Sequence, residues 1–553
     1  MELANFIKLY EKSFQDNWEL PALTDYTNGN TLTYGELSKE IAKLHILFKQ
    51  SKIKRGDKIA LIGRNTPSWV TVFIGTYTYG AIIVPILQEF NANDVQHIVN
   101  HSESKLLFTS DSLWESLELD GMKNVRAAIS LDSMKVLAEK SGEEIDKYMK
   151  GVERRFQLVY PHGFKAENIK YADMDNDKLL VINYTSGTTG FSKGVMLSGQ
   201  NLSGNVTFGI DCNLHYRGSR TLAFLPMAHA YGCAFDLLTP LAVGSHLTLL
   251  GRIPSPKILL KAVGEVKPNL VICVPLILEK IYKKMILPMI STGLVKYALA
   301  IPLVDKQVYA TIRKKLMDAF GGEFEQIIVG GAPLNAEVEE FLCKIKFPVT
   351  VGYGMTECAP LISYTHWSKF IPRSSGRILQ GLMKVKVEST DPQNIPGEIC
   401  VRGTNTTKGY YKNLEATDAL IDSEGWLHTG DMGTVTEDGT IFIRGRYKTM
   451  ILTSNGQNIY PEEIEAKLNN MPFVMESLVL DREGKIVALV YPDFEAMDAE
   501  GVTNEQLPEK MEMVRAEVNK LLAQYEKVSK IQLMAHEFEK TPKRSIKRYL
   551  YNH

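Results

Sequence analysis

Short apolar runs alternate with stretches of helical periodicity from the start of the chain as far as Val329. Leu37, Ile41, Leu44 and Phe48 recur at the spacing of one helix face. The apolar runs predict strands buried on both faces, which is the pattern of βαβ units in parallel sheets. The runs span residues 58–62, 80–85, 106–109, 221–225, 246–250, 270–274 and 326–329. Two doubly wound parallel sheets are the simplest arrangement of these elements.

The pattern changes at about Lys384, where shorter strands are broken by Gly, Pro and Asp. These strands predict a small antiparallel region. After Arg446 the pattern predicts a compact α+β unit with a helix over 461–468, a hairpin turning at Glu483-Gly484 and a helix over 507–522. The predicted fold class is α/β: a large N-terminal domain of two doubly wound sheets plus the antiparallel region (1–446), then a small α+β domain (447–553).

The segment from Ile286 to Val304 is apolar, but Pro288, Lys296 and Pro302 interrupt it. It barely reaches the length needed to span a bilayer. We interpret it as a buried or substrate-lining helix, with contact to a membrane surface as the alternative.

Composition is typical of a globular protein, with 44% hydrophobic and 23% charged residues among 553. A net charge of −1 gives no broad basic surface, so nucleic acid is not expected as a partner. The six cysteines show no metal-binding spacing and indicate a reducing compartment. The N-terminus has charge where a signal peptide is apolar, so we predict a cytoplasmic protein, with peripheral membrane contact and oligomeric state left open.

Residues 184–198 contain the strongest candidate for chemistry, the run Tyr-Thr-Ser-Gly-Thr-Thr-Gly-Phe-Ser-Lys-Gly-Val-Met-Leu-Ser. It follows a predicted buried strand. Glycines let backbone N–H groups converge on an anion, hydroxyls add donors, and Lys193 adds a positive charge. The run is not a Walker A motif, and alone it would be a flexible loop. The strand before it and the motifs after it favour a site for the phosphates of a nucleotide.

Further motifs lie downstream. Residues 330–334, Gly-Gly-Ala-Pro-Leu, turn between a strand and a helix, where backbone can approach a planar base. Residues 352–357 offer a stacking face in Tyr353, a hydroxyl in Thr356 and a carboxylate in Glu357, and such a carboxylate suits Mg²⁺ bound to phosphates. Asp431 lies among turn-forming residues where it can accept hydrogen bonds from ribose hydroxyls, and Arg446 follows in a short basic stretch. Each motif alone has an ordinary structural explanation.

In this order the motifs resemble the superfamily of adenylate-forming enzymes, which includes acyl-CoA synthetases, adenylation domains and luciferases. The resemblance covers nearly the whole chain. Residues 225–229 and 274–281 are most similar to long-chain fatty acid–CoA ligases.

The resemblance implies a role for each candidate residue. His229 would lie near the acyl carboxylate, Thr356 would contact the α-phosphate and Glu357 would hold Mg²⁺. Lys448 would be the hinge about which the C-terminal domain moves, and Gly456 would let CoA pass. The ATP site would comprise Thr185, Ser186, Gly187, Thr188, Thr189, Gly190 and Lys193 at the pyrophosphate, Gly331, Ala332, Pro333 and Tyr353 at the adenine, and Asp431 with Arg446 at the ribose.

The C-terminal tail departs from the family pattern. Aligned on Pro542, Ser545 occupies the position of the catalytic lysine in long-chain members. Lys547 or Lys543 must then substitute, and we favour Lys547. A basic tail facing solvent or lipid is the alternative. Ser192 also stands where the family most often has proline.

The implied activity is an ATP-dependent fatty acid–CoA ligase that forms acyl-AMP and then acyl-CoA, with ATP, Mg²⁺ and coenzyme A as co-substrates. Three different functions stay open. The acceptor could be acyl carrier protein, the acid could be aryl or medium-chain, or the chain could be a non-catalytic acyl- or nucleotide-binding protein.

Overall fold

The computed structural model describes residues 3–185, 192–251, 254–291, 293–301, 304–452, 458–541 and 545–552, without the side chain of residue 294. These residues form two compact units. Unit 1 contains the described residues up to Lys384 together with Val401–Leu427. Unit 2 contains Val385–Cys400 and the described residues from His428 onward. The sequence predicted a different boundary, after residue 446, next to the expected hinge at Lys448. That boundary stays a prediction.

The first sheet of unit 1 is built from strands that are apolar along most of their length. Lys58–Ile62 lies at its centre, and parallel pairing aligns Ile59 with Ile83 on one side and with Leu106 on the other. The outermost strand on each side runs antiparallel to its neighbour. The strand order is Val136–Glu139, Ala127–Ser130, Leu106–Thr109, Lys58–Ile62, Ile82–Ile86, Leu179–Thr185 and Lys193–Ser198.

The second sheet of unit 1 includes strands from both ends of the unit. The N-terminal strand Pro21–Asp25 lies in this sheet, where Leu23 pairs in parallel with Leu247. No local pattern predicts such a pairing, because the two strands are far apart in the sequence. Thr31–Thr33 closes the edge in antiparallel orientation. The strand order is Val349–Val351, Gln326–Val329, Leu270–Cys273, Arg220–Ala223, His246–Leu249, Pro21–Asp25 and Thr31–Thr33.

Helices connect these strands, and local signals account for several of their ends. Tyr34–Gln50 begins with a capping box in which the Thr33 hydroxyl accepts a hydrogen bond from the Glu36 N–H and the Glu36 carboxylate accepts one from the Thr33 N–H. Its predicted apolar face is buried. The α-helices of unit 1 are Phe6–Asp16, Tyr34–Gln50, Pro67–Tyr79, Ala92–Ser102, Asp111–Trp114, Ile145–Val159, Gly199–Asp211, Ala230–Gly232, Thr239–Val243, Pro256–Val266, Pro275–Ile281, Leu287–Ser291, Gly293–Leu299, Val304–Ala319, Ala336–Lys344 and Leu414–Leu420.

Shorter elements complete unit 1. The backbone makes π-helical turns over Cys233–Leu238 and Tyr282–Ile286. A small antiparallel sheet contains Tyr353–Gly354, Leu361–Tyr364 and Arg377–Ile378. The 3₁₀ turns are Ala166–Asn168, Thr356–Cys358 and Trp367–Lys369.

The prediction of one buried helix between Ile286 and Val304 is wrong. The segment contains two short helices, Leu287–Ser291 and Gly293–Leu299, and its apolar side chains are largely exposed, with Tyr297 at 74%. Pro288, Met289, Val295 and Val304 line a cleft of about 610 Å³, so a substrate-lining role stays a prediction. Within the described ranges, no helix has the length and hydropathy needed to cross a bilayer.

Most residues of the predicted antiparallel region belong to unit 2. Its sheet has the strand order Met383–Glu388, Gly397–Gly403, Leu427–Val435 and Ile441–Arg446. A second sheet contains a hairpin of Val474–Arg482 and Lys485–Pro492, with Lys530–Leu533 parallel to the latter. Glu483 and Gly484 both have positive φ, 56° and 75°, as a two-residue hairpin turn requires. The remaining elements are helices Pro461–Leu468, Phe494–Glu500 and Leu507–Lys520, strands Ile451–Leu452 and Asn458–Ile459, and 3₁₀ turns Gln524–Glu526 and Arg548–Leu550.

One buried acid in unit 1 has no hydrogen-bond partner among the residues that the structure describes. Asp236 lies in the π-helical turn with 1% exposure, and neither carboxylate oxygen accepts a hydrogen bond from a described residue. Burial raises the pKa of Asp236 well above its usual value, because the charged form loses its hydration. The folded chain therefore holds the proton of this carboxyl group more tightly than the unfolded chain does.

We expect Asp236→Asn to reduce the loss of stability that accompanies rising pH. The folded state binds the proton more tightly, so its stability falls as pH rises above about 3.9, the unfolded value, toward the raised folded value. Thermal unfolding midpoints of the parent and the variant should therefore converge at about pH 4 and diverge by about pH 8, with the variant higher. Asp177→Asn, at an exposed acid, is the control. Parallel curves for the parent and Asp236→Asn would contradict the assignment.

Candidate functional site

The predicted phosphate-binding segment connects two antiparallel strands of unit 1. Thr185 ends one strand and Lys193 begins the next, and the two residues are paired in register. The hydroxyl of Thr185 and the ammonium of Lys193 therefore belong to the two strand ends that flank the glycine-rich segment. The predicted residues Ser186, Gly187, Thr188, Thr189 and Gly190 lie outside the described residues.

Glu357 is a buried acid in the 3₁₀ turn Thr356–Cys358, with 8% exposure. The hydroxyl of Tyr410 donates a 2.8 Å hydrogen bond to Glu357 Oε1. The Thr407 N–H also donates to the Glu357 carbonyl at 2.7 Å. One segment, 407–410, thus positions both the side chain and the backbone of Glu357, the residue predicted to hold Mg²⁺.

Tyr410 also contacts the lysine of the phosphate-binding segment. The Lys193 ammonium lies 5.0 Å from the centre of the Tyr410 ring, a cation–π geometry. Backbone hydrogen bonds hold the two segments together, from the Met196 N–H to the Gly409 carbonyl at 3.0 Å and from the Tyr411 N–H to the Gly194 carbonyl at 2.7 Å. One tyrosine therefore joins the predicted phosphate lysine to the predicted magnesium carboxylate.

Tyr410 was not predicted from the sequence. Burial, followed by the charge of Glu357, raises the pKa of Tyr410, so its hydroxyl remains a donor. The available signal was weak, namely two tyrosines directly after Gly409 in an otherwise polar stretch.

The predicted adenine-binding residues lie at the carboxyl ends of strands in the second sheet. Gly331, Ala332 and Pro333 form an exposed turn after Gln326–Val329, and Gly331 has a φ of 87°, which favours glycine. Tyr353 follows the adjacent strand and is largely buried, at 8% exposure. In open α/β sheets, ligands bind outside the carboxyl ends of strands, so this is the expected edge for a nucleotide base.

Thr356 and His229 also follow strands of the second sheet. Thr356 is 4% exposed in the same turn as Glu357. The half-buried His229 caps Ala230–Gly232, where its Nδ1 accepts a 3.3 Å hydrogen bond from the Tyr231 N–H. The Asn183 amide donates to the Ala228 carbonyl at 3.0 Å, which ties this turn to the strand before the phosphate-binding segment.

Unit 2 brings together the predicted ribose-binding pair. Asp431 and Arg446 are cross-strand neighbours, and the Arg446 Nε lies 2.7 Å from Asp431 Oδ1. Asp431 is buried, whereas the Arg446 side chain is 58% exposed. Asp431 lies on the strand Leu427–Val435 and not in a turn, and the Thr429 hydroxyl of the same strand accepts a hydrogen bond from the Asp431 N–H at 3.1 Å.

The predicted hinge and the tail lysine are both in unit 2. Lys448 is exposed in the turn that follows Ile441–Arg446. Lys547 is half-buried, and its ammonium lies 3.5 Å from Glu539 Oε2. Gly456 and Lys543 lie outside the described residues, so the choice between Lys543 and Lys547 stays a prediction.

Arg548 anchors the tail next to Lys547. Its guanidinium donates to the Val479 carbonyl at 3.2 Å and pairs with Glu465 at 2.5 Å. Burial raises the pKa of Glu465 to about 7, against the opposing effect of Arg548. This partly buried pair fixes the backbone on the C-terminal side of Lys547.

Comparison with known proteins identifies the family. The family model described as AMP-binding enzyme matches residues 10–411, well over half of the chain. The chain belongs to the AMP-binding enzyme family. The resemblance to adenylate-forming enzymes inferred from the motifs is thereby confirmed.

Relatives of this AMP-binding enzyme include two kinds of acid–CoA ligase. One is the probable 4-coumarate–CoA ligase 3 of Dictyostelium discoideum, 28% identical over 466 residues, covering 81% of this chain and 79% of that protein. Another is the long-chain-fatty-acid–CoA ligase ACSBG1 of Rattus norvegicus, 26% identical over 491 residues. That match covers 83% of this chain and 66% of the rat protein.

Solved structures confirm the predicted α/β fold class. The anthranilate CoA ligase AuaEII, in complex with anthranoyl-AMP, superposes with a TM-score of 0.77 at 18% identity, covering 99% of this chain and 96% of that chain. ATP-bound MatB from Rhodopseudomonas palustris gives 0.76 at 22% identity, covering 100% and 98%. At these identities the similarity establishes the fold of this family member.

Proposed function

We propose that the protein is an ATP-dependent fatty acid–CoA ligase that forms acyl-AMP and then acyl-CoA. Family membership supports adenylate-forming chemistry. The observation that carries the proposal is the contact of Tyr410 with both Lys193 and Glu357, because it joins a cation suited to phosphates to a carboxylate suited to Mg²⁺. Relatives named as long-chain fatty acid–CoA ligases and the motifs at residues 225–229 and 274–281 support the acyl substrate.

In the first step, a carboxylate oxygen of the acid attacks the α-phosphorus of ATP. The bond to the bridging oxygen breaks, and pyrophosphate leaves with the electron pair. Repulsion between the two anions opposes this attack, so positive charge and positioning provide the catalysis. Thr185, Ser186, Gly187, Thr188, Thr189, Gly190 and Lys193 bind the departing phosphates. Thr356 donates to the α-phosphate, and His229 orients the acid.

The residues around Glu357 fit a magnesium ion. A buried carboxylate with one oxygen held by Tyr410 offers the other to a hard cation, which takes oxygen ligands and retains waters and phosphate oxygens. The ion would neutralise charge on the phosphates.

In the second step, the CoA thiolate attacks the acyl carbon and AMP departs. Gly331, Ala332, Pro333 and Tyr353 bind the adenine during both steps, and Asp431 and Arg446 bind the ribose. Lys547 adds charge in the first step, with Lys543 as the alternative. A backbone rotation at Lys448, at the boundary between residues 1–446 and 447–553, exchanges Lys547 for the CoA loop at Gly456.

An aryl acid is the second candidate substrate, because relatives named 4-coumarate–CoA ligases match as well as the fatty acid ligases do. A pyrophosphate-release screen over short, medium, long and aryl acids, with and without CoA, decides between them. Release that is greatest with long-chain acids supports the proposal. Release only with aryl acids would overturn the choice of substrate.

The same assay distinguishes a CoA ligase from an enzyme with a different acceptor and from a protein without activity. Acyl-AMP that transfers to acyl carrier protein and not to CoA would indicate an acyl carrier protein synthetase. ATP binding without pyrophosphate release from any acid would indicate a non-catalytic binding protein.

Tyr410→Phe is expected to lower the adenylation rate by about tenfold. The variant retains the ring beside Lys193 and loses the hydrogen bond to Glu357, and a bond to a charged group contributes about 1.5–3 kcal/mol. Acid-dependent pyrophosphate release at limiting Mg²⁺ measures the effect.

The matched control is Tyr411→Phe, which removes a 3.2 Å hydrogen bond to the more exposed Glu103. Equal rates of pyrophosphate release for Tyr410→Phe and Tyr411→Phe would show that the Tyr410 hydroxyl does not contribute to adenylation.

A further inference from the structure

A cluster of three potential metal ligands lies in unit 2, outside the residues assigned to the reaction. Glu398 and Cys400 are two positions apart on the strand Gly397–Gly403, so their side chains point to the same face of the sheet. His428 lies on the neighbouring strand Leu427–Val435. The ligand atoms of all three residues lie within 4.8 Å of one another.

The distances are close to those of a metal centre. His428 Nδ1 is 3.5 Å from Cys400 Sγ and 2.9 Å from Glu398 Oε2. A tetrahedral zinc ion with ordinary bond lengths separates nitrogen from sulfur by about 3.5 Å and nitrogen from oxygen by about 3.4 Å. The thiol and imidazole already have this separation. The nitrogen–oxygen separation is about 0.5 Å shorter than that of the ideal site, and the sulfur and oxygen atoms lie within 4.8 Å of each other.

The same geometry argues against a nucleophile activated by histidine. A relay requires the thiol on one imidazole nitrogen and the carboxylate on the other. Here both groups face Nδ1, so the imidazole cannot take a proton from Cys400 while Glu398 orients its opposite side. Convergence of three donor atoms on one point is the arrangement of a chelate.

We propose that Glu398, Cys400 and His428 bind a zinc ion. Sulfur and imidazole select a borderline-soft cation over Mg²⁺, and three protein ligands leave a fourth position for water. Cys400 is fully buried, whereas the side chains of His428 and Glu398 are 31% and 25% exposed, which opens a path to solvent. Binding releases the thiol proton, and the imidazole proton resides on Nε2.

Ion binding would act on the neighbouring strand. Glu398 Oε1 accepts a 3.0 Å hydrogen bond from the Gly430 N–H, and the Thr429 hydroxyl donates to the Ile399 carbonyl at 2.7 Å. The ion would cross-link the two strands directly before Asp431. Zinc is therefore expected to raise the thermal stability of the protein.

Cobalt is the probe, because Co²⁺ replaces Zn²⁺ and a bound thiolate gives a charge-transfer absorption band. The full chain, freed of metal and without nucleotide, is titrated with Co²⁺ and then with Zn²⁺ or Mg²⁺. We expect one equivalent of Co²⁺ per chain, a thiolate band, displacement by Zn²⁺ and no displacement by excess Mg²⁺.

Substitutions of the three proposed ligands test which side chains bind the metal ion. Cys400→Ser should abolish the band, and His428→Gln should weaken cobalt binding by at least about a hundredfold. Cys343→Ser, at another cysteine, should leave both unchanged. Glu398→Gln retains an acceptor for the Gly430 N–H and loses the carboxylate, so weaker binding by a stably folded variant separates ligation from strand packing.

Failure of the parent protein to bind Co²⁺ with a thiolate band would overturn the proposal, whatever the variants do. Persistence of the band in Cys400→Ser would do the same. A zinc-dependent rise in the thermal midpoint of the parent that is absent from Cys400→Ser supports it independently of enzymatic activity.

Discussion

Lys547→Ala is expected to lower the rate of acyl-AMP formation by about 10²–10³-fold, the loss typical when one group that stabilises transition-state charge is removed. Thioester formation from supplied acyl-AMP should be unchanged, because the proposed rotation at Lys448 removes Lys547 from the site before the CoA thiolate attacks. Acid-dependent pyrophosphate release without CoA measures the first step. Acyl-CoA formation from synthetic acyl-AMP measures the second.

The substitution should leave the tail in place. The ammonium of Lys547 makes a 3.5 Å contact with Glu539, whose side chain is 67% exposed, and such surface pairs contribute at most about 1 kcal/mol. Arg548 holds the adjacent backbone through Val479 and Glu465, independently of the lysine side chain. A change in activity can therefore be attributed to the lost charge.

Substitutions of two other lysines in the tail provide a control and a test of the alternative assignment. Lys540→Ala removes an equal charge that is already paired with Glu476 at 2.7 Å, so adenylation should remain near the parent value. Lys543→Ala tests the second lysine that the irregular tail allows. A larger loss of adenylation rate in Lys543→Ala than in Lys547→Ala would make Lys543 the catalytic lysine. Equal losses of Lys547→Ala in adenylation and in thioester formation would show that Lys547 has no specific role in adenylation.

Much of the fold could be predicted because its strongest signals are local. Lys58–Ile62 and Gln326–Val329 have the predicted bounds, since a short continuous apolar run between polar residues is typical of a strand that is covered on both faces. Pro461 begins its helix in the first turn. The missing N–H of proline costs nothing there, because N–H groups of the first turn have no partner within the helix. Glu483-Gly484 marks the hairpin as predicted.

The features that could not be predicted depend on tertiary contacts. Pro21–Asp25 joins the second sheet through Leu23 and Leu247, a pairing that no local pattern encodes. The apolar composition of residues 286–304 predicted a buried helix, yet the structure has two short helices there and Tyr297 is 74% exposed. Composition alone does not encode which side chains the rest of the chain covers.

The candidate site likewise contains residues that local motifs predict and a residue that only tertiary contacts reveal. Lys193 and Glu357 could be selected from the sequence, because each belongs to a short motif whose neighbouring residues already indicate its chemistry. Tyr410 could not, since its significance comes only from the contacts that bring it between them.

Glu357→Gln is expected to lower adenylation by about 10²–10³-fold and to raise the Mg²⁺ concentration needed for half-maximal rate. The amide retains an oxygen that can accept the Tyr410 hydroxyl, and the Thr407 N–H bonds to the backbone of residue 357, so the turn should persist. The negative charge is lost, and a hard cation loses its protein ligand. Initial rates of pyrophosphate release over a series of Mg²⁺ concentrations give both quantities.

Glu103→Gln is the matched control, because Glu103 also accepts a hydrogen bond from a neighbouring tyrosine, Tyr411, but is 44% exposed. Its Mg²⁺ dependence should equal that of the parent. A lowered rate in Glu357→Gln with an unchanged Mg²⁺ dependence would mean that Glu357 acts through Tyr410 and Lys193. The protein ligand of the magnesium ion would then have to be another residue.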